Sequence, residues 1–300
     1  MKTPIFTGSG VAIVTPMNSD GSVNYNVFDE LIEFQIANGT DAIIACGTTG
    51  ESATLSEKEH CEVLEHVSKR VNGRIPVIAG AGSNDTATAI ALSKAAQSYG
   101  ADAILSVTPY YNKTSQAGLV RHFMTIADSV DIPVILYNVP SRTGCNIKPE
   151  TYAELSKHDN IVATKEANGD ISSVSKTLSL CGDNLAVYSG NDDQTVPFMS
   201  LGALGVISVF ANICPQEMHD ICKLCLDNNF VEASKLNFKY IELMDMLFSD
   251  VNPIPVKTAM NLFGFECGEC RLPLVPMSYH GYHDLKDCLN KYDLIGKYKK

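Results

Sequence analysis

The residues of this chain that could do chemistry together lie at the ends of apolar runs. Residues 161–165 read I-V-A-T-K, and polar turn residues E-A-N-G-D follow. A strand-like run of this kind delivers one amine, Lys165, to its C-terminal edge. Desolvation there lowers a lysine's pKa, and a neutral lysine is a nucleophile toward carbonyl compounds, the opening step of Schiff-base catalysis. A lysine that simply leaves the sheet into solvent is the plainer reading. The run P-V-I-L-Y ends the same way on Tyr137, a group able to give and take a proton if a relay carries the charge away. Taken singly, a strand tyrosine packed under a helix is the commoner case.

Other run ends add polar groups. Gly47-Thr48-Thr49-Gly50 is a glycine-bracketed turn with two hydroxyls and free backbone N–H groups, able to hold a carboxylate without full positive charge. Arg142, in the loop S-R-T-G, can grip a second carboxylate through paired hydrogen bonds. Each has an ordinary alternative, a tight turn and a solvated loop arginine. Their joint occurrence at run ends carries the argument.

The elements that must position these groups alternate with regularity. Apolar runs at residues 10–16, 41–46, 75–80, 103–108, 133–137, 161–165, 185–190 and 205–209 read as strands. Helical patterns separate them, over 28–38, 57–72, 86–99, 116–130, 149 onward, 171–180, 194–201 and 215 onward. Ser56 with Glu59 three residues on is a capping box. The strand runs are continuously apolar, as expected when both faces are covered. Eight such units before about residue 228 predict an α/β fold, a (β/α)8 TIM barrel over 1–228, with active groups at the C-terminal strand ends. A doubly wound open sheet is the runner-up, but no G-x-G-x-x-G opens the first unit. Residues 229–300 read as a C-terminal helical extension, with helices over 231–248, 255–263 and 282–291 and a solvated K-Y-K-K end.

Composition narrows the function. The net charge of −11 argues against nucleic acid or an anionic membrane surface as partner. No run approaches the 18 apolar residues of a membrane span, and the first residues lack the apolar core of a signal peptide, so a soluble cytoplasmic protein is expected. Cys222 with Cys225, and Cys267 with Cys270, have C-x-x-C spacing, among ten cysteines in all. The first pair falls inside a helical pattern, so packing is preferred to zinc or redox chemistry, and no metal is expected.

C-G-T-T-G-E-S, V-T-P-Y-Y-N, L-Y-N-V-P-S-R-T-G and the K-E-A around Glu166 are similar to the dihydrodipicolinate synthase family of pyruvate-dependent class I aldolases, which also holds N-acetylneuraminate lyase. The likeness runs from T-G-S-G-V-A-I-V-T-P to N-P-I-P-V-K and R-L-P-L. It implies that Lys165 forms an imine with pyruvate and that Tyr137, Thr48 and Tyr111 relay protons, Tyr111 reaching in from a neighbouring subunit. It implies that Thr49 and its backbone hold the pyruvate carboxylate and that Arg142 receives the carboxylate of aspartate semialdehyde. Gly190 and Ile207 would supply backbone contacts. The implied enzyme is a lyase of the diaminopimelate route to lysine, a homotetramer built as a dimer of dimers, with no cofactor beyond the covalent imine.

The same resemblance implies a lysine-binding cleft. Ser52, Ala53, His60, Asn84 and Tyr110 keep its pattern, whereas Glu57 stands for a histidine and Thr88 for a glutamate of sensitive members. Weak or absent feedback by lysine is therefore expected. The rivals are a lyase of the same family acting on sialic acid or a 2-keto-3-deoxy sugar acid, a catalytically silent binding barrel, and a phosphate-binding barrel. Arg142 and Tyr111 disfavour the first, since a sugar wants hydroxyl partners. The intact lysine and tyrosine disfavour the second. The acidic S-G-N-D-D loop disfavours the third.

Overall fold

The computed structural model describes residues 2–297. Its eight parallel strands are β1 (Gly8–Ala12), β2 (Ala42–Ala45), β3 (Val77–Gly80), β4 (Ala103–Val107), β5 (Val134–Asn138), β6 (Ile161–Glu166), β7 (Ala186–Ser189) and β8 (Gly205–Ser208). They close into a barrel in chain order, β1 pairing with both β2 and β8. A helix follows every strand, the first Tyr25–Ala37 and the eighth Pro215–Leu226. The expected (β/α)8 barrel is what forms, and closure rules out the open sheet.

Side-chain alternation divides the core into two layers. On β2, Ala42 and Ile44 fill the barrel interior, while Ile43 and Ala45 meet the surrounding helices. On β5 and β6 the inward positions include Ile135, Tyr137 and Ala163. The ladder sets Tyr137 beside Lys165, and Lys165 beside Tyr188. Below them the Tyr188 ring stacks on Phe6 at 4.3 Å and its hydroxyl donates to the Phe6 carbonyl at 2.6 Å. That stack fills the N-terminal end of the interior.

Some boundaries differ from the expectation. The first run, read as 10–16, forms ladder only as Gly8–Ala12, because Val14 N–H leaves the sheet for Asn212 Oδ1 at 3.1 Å. The first helix starts at Tyr25, where Asn24 accepts from Val27 N–H at 3.2 Å, a cap that the apolar pattern does not reveal. A one-turn helix, Pro140–Thr143, sits where a loop was read. The capping box is present: Ser56 Oγ accepts from Glu59 N–H at 3.3 Å and Glu59 Oε2 accepts from Ser56 N–H at 2.9 Å.

The last helices are Phe230–Met246, Ile254–Phe263 and Tyr279–Lys291. Leu243, Val256, Met260, Phe263 and Leu289 join the same apolar layer as Phe210 and Met218 of the barrel. Of the K-Y-K-K end, residues 298–300 lie outside the described residues. Among the described residues no helix is long and apolar enough to cross a membrane, and no group of three or more His, Cys, Asp or Glu side chains could hold a metal ion. The ten cysteines are free. Burial pushes the Cys267 and Cys270 thiols up to about 12 and Cys225 to about 11, which keeps them protonated at neutral pH.

Candidate active site

A cavity of about 590 Å³ opens at the C-terminal mouth of the barrel. Lys165, Tyr137, Thr48, Thr49, Arg142 and Gly190 all line it. Lys165 is 6% exposed, and its Nζ rests 4.5 Å from the centroid of the Tyr137 ring. Burial brings the Lys165 ammonium down to about 8; the Asp192 carboxylate opposes the fall and the Arg142 guanidinium adds to it. A useful fraction of the amine is therefore neutral near pH 7. Burial raises Tyr137, against the pull of Arg142 and a hydrogen bond with Thr48. Gly190 is a glycine for a steric reason: a Cβ there would stand 2.7 Å from Ala167 Cβ and 3.2 Å from Lys165 Cε.

A profile of the Dihydrodipicolinate synthetase family matches residues 5–292. The chain belongs to that family. It is 54% identical over 295 residues to the 4-hydroxy-tetrahydrodipicolinate synthase of Acetivibrio thermocellus, covering 98% of this chain and 100% of that one. It is 55% identical over 293 residues to the synthase of a Thermoanaerobacter species, covering 97% and 98%. The solved dihydrodipicolinate synthase of Aquifex aeolicus superposes with a TM-score of 0.95 at 45% identity, over 97% of this chain and 100% of that chain.

Family membership leaves the geometry of this chain to be told. Ile207 packs inside the barrel, wholly buried, and it is Val209 that lines the cavity. Tyr111 is 92% exposed with φ +66°, on the surface and outside its own chain's cavity. Ser52, Ala53, His60 and Tyr110 line a second cavity of about 490 Å³ together with Glu57 and Thr88. Asn84 does not: it lines a separate recess, where its carbonyl accepts from Asn112 Nδ2 at 2.9 Å.

Several site residues escaped the sequence reading. Asn252 donates from Nδ2 to Thr49 Oγ1 at 3.0 Å, and its carbonyl accepts from Arg142 at 3.3 Å, so one residue braces both side chains. Lys257, 1% exposed, pairs with Glu51 at 2.7 Å and also donates to the Glu269 carbonyl at 2.9 Å. Glu51 ends the G-T-T-G-E turn in a left-handed conformation, φ +56°. Its other oxygen accepts from Arg271 N–H at 2.9 Å. Asp192 is buried and accepts from Val209 and Phe210 N–H at 3.1 and 2.9 Å, tying the loop after β7 to the end of β8. The motif N-P-I-P-V-K carried the signal for Asn252 and Lys257, but nothing in one sequence says that they reach across 200 residues to the turn.

Proposed function

We propose that the chain is a 4-hydroxy-tetrahydrodipicolinate synthase, a lyase condensing pyruvate with L-aspartate 4-semialdehyde through an imine on Lys165. The observation that carries this is the buried Lys165 amine, brought down to about 8, over the Tyr137 ring in a cavity that also holds an arginine. The neutral amine attacks the ketone carbon of pyruvate, and loss of water leaves a protonated imine. That cation is an electron sink: a methyl proton leaves, and the electron pair becomes an enamine. The enamine carbon attacks the aldehyde carbon. The substrate's own amine then displaces Lys165 from the imine carbon and closes the ring.

Thr49 and its turn hold the pyruvate carboxylate in this scheme, and Arg142 holds the carboxylate of the aldehyde. Tyr137 shuttles protons through its hydrogen bond with Thr48. The exposure of Tyr111 suits a residue that completes a neighbouring subunit's relay, within a cytoplasmic homotetramer. One relative, 41% identical, is described as a monomeric variant, so the assembly is tested separately by light scattering of the intact protein. The arginine in the cavity favours a carboxylate-bearing aldehyde over a sugar.

Borohydride reduction with pyruvate, followed by peptide mass mapping, tests the imine. A pyruvyl adduct is expected on Lys165. Folded protein without an adduct would sink the assignment.

A further inference from the structure

The groups of the proposed reaction point into the barrel, yet the side chain beside Lys165 points away from it and is just as buried. Glu166 ends β6 and is 3% exposed. Its carboxylate is met by donors. Asn138 Nδ2 reaches both oxygens, at 2.9 and 3.0 Å. The Tyr152 hydroxyl donates at 2.8 Å and Asn168 N–H at 2.9 Å. Tyr152 in turn accepts from Thr164 Oγ1 at 3.1 Å. Asn138 is equally committed: its Oδ1 accepts from Ile147 N–H at 3.1 Å.

A buried carboxylate is costly, and well-packed apolar side chains in its place are often as stable or more so. Its location suggests what it does. Asn138 and Glu166 are ladder partners, and the pair next to them is Tyr137 with Lys165. The β5–β6 ladder also carries a register irregularity between Val134 and Ile135, so its far end does not fix the register. A slip of one residue would turn Lys165 from the cavity to the helix side. The Glu166 carbonyl accepts from Gly190 N–H at 2.8 Å, which extends the tie to the loop after β7.

We propose that Glu166 is a positioning residue: its carboxylate, strapped to Asn138, holds the ends of β5 and β6 in the register that sets Lys165 over the Tyr137 ring. This rests on the reading of Lys165 as the imine-forming group.

The test measures the rate of borohydride-trappable pyruvate adduct on Lys165, and the melting temperature, in wild type, Glu166→Gln, Asn138→Asp and the double variant that combines them. Displacement of a reacting group by about 1 Å costs about 100-fold, and that slowing of trapping is expected in both single variants while they remain folded. The double variant restores one donor and one acceptor across the strap, and it should recover about tenfold or more of the loss, a coupling that independent sites would not show. A purely structural role would lower the melting temperature and leave trapping unchanged. Trapping within about threefold of wild type in both single variants, or a slow double variant, overturns the strap. If Glu166→Gln does not fold, Asn138→Asp and the double variant decide alone. Absence of any adduct in wild type is a different outcome, which overturns the imine reading and the strap with it.

Discussion

The Lys165 cavity and the second cavity lie on two sides of one wall, since Thr48, Arg142 and Asn252 line both. Each holds a buried base whose pKa burial lowers, Lys165 in one and His60 in the other. The difference is what each base does with its nitrogen. His60 is held in place by its Nε2–H, which donates to the Gly80 carbonyl at 2.7 Å and leaves its lone pair on Nδ1. Lys165 rests on an aromatic face and lines the open cavity, so its lone pair can meet a carbonyl carbon. A shifted pKa is common to both cavities, and the proposed reaction belongs to the one where the shifted group is an amine, able to form an imine with a carbonyl.

Removing that amine should have the largest effect. Lys165→Ala is expected to lower kcat by about 10⁶-fold, the scale seen when a covalent nucleophile is lost. Steady-state assay with both substrates checks this. A residual rate near wild type would place the nucleophile elsewhere. Tyr137→Phe keeps the ring under Lys165 and removes the proton carrier, and a loss of about 10² to 10⁴-fold in kcat is expected.

The wall itself can be weakened from behind. Lys257→Met leaves Glu51 buried without its partner, at a cost of about 3–5 kcal/mol read by denaturant unfolding. An unchanged midpoint would show that Glu51 finds another donor. The pH dependence separates the two cavities more finely. Because the neutral amine attacks, the rate of imine formation should rise about tenfold per pH unit below the Lys165 value of about 8 and level off above it. A flat profile between pH 6 and about 9 would contradict a titrating amine.

The smallest effect is expected in the second cavity. Thr88 brings no carboxylate there, and its hydroxyl is engaged by Asp85 Oδ2 at 2.7 Å. Millimolar L-lysine should therefore change activity less than the roughly fivefold at the low end of ordinary allosteric coupling. Strong inhibition at sub-millimolar lysine would overturn this.

The barrel was legible because its code is local. Eight apolar runs, each followed by a helical pattern, fix the architecture with little reference to distant residues. Lys165, Tyr137, Thr48, Thr49 and Arg142 were legible for the same reason, since each ends a run or follows one closely, and the barrel brings run ends together. Asn252 and Lys257 were not, because their partners Thr49 and Glu51 lie 203 and 206 residues away. Asp192 was seen only as acidity in a loop, yet it caps backbone N–H groups at the end of β8. Glu166 could have been flagged: a charged residue on the outward side of a strand covered by helices has to be paired. Ile207 and Val209 share strand parity, and the structure alone shows that Val209, nearer the mouth, lines the cavity while the Ile207 side chain fills the interior below it.

The ion pair of Lys257 with Glu51 also constrains when the site can exist. On the ribosome the chain emerges from its N-terminus at about 5–20 residues per second. Glu51 and the turn it ends are made early, and Lys257 follows 206 residues later. Until then the carboxylate can stay hydrated only if the turn stays open to water. Closing of the turn that Glu51 ends therefore waits for Lys257, and a nascent chain stalled between β8 and Lys257 would carry all eight strands with an unfinished mouth.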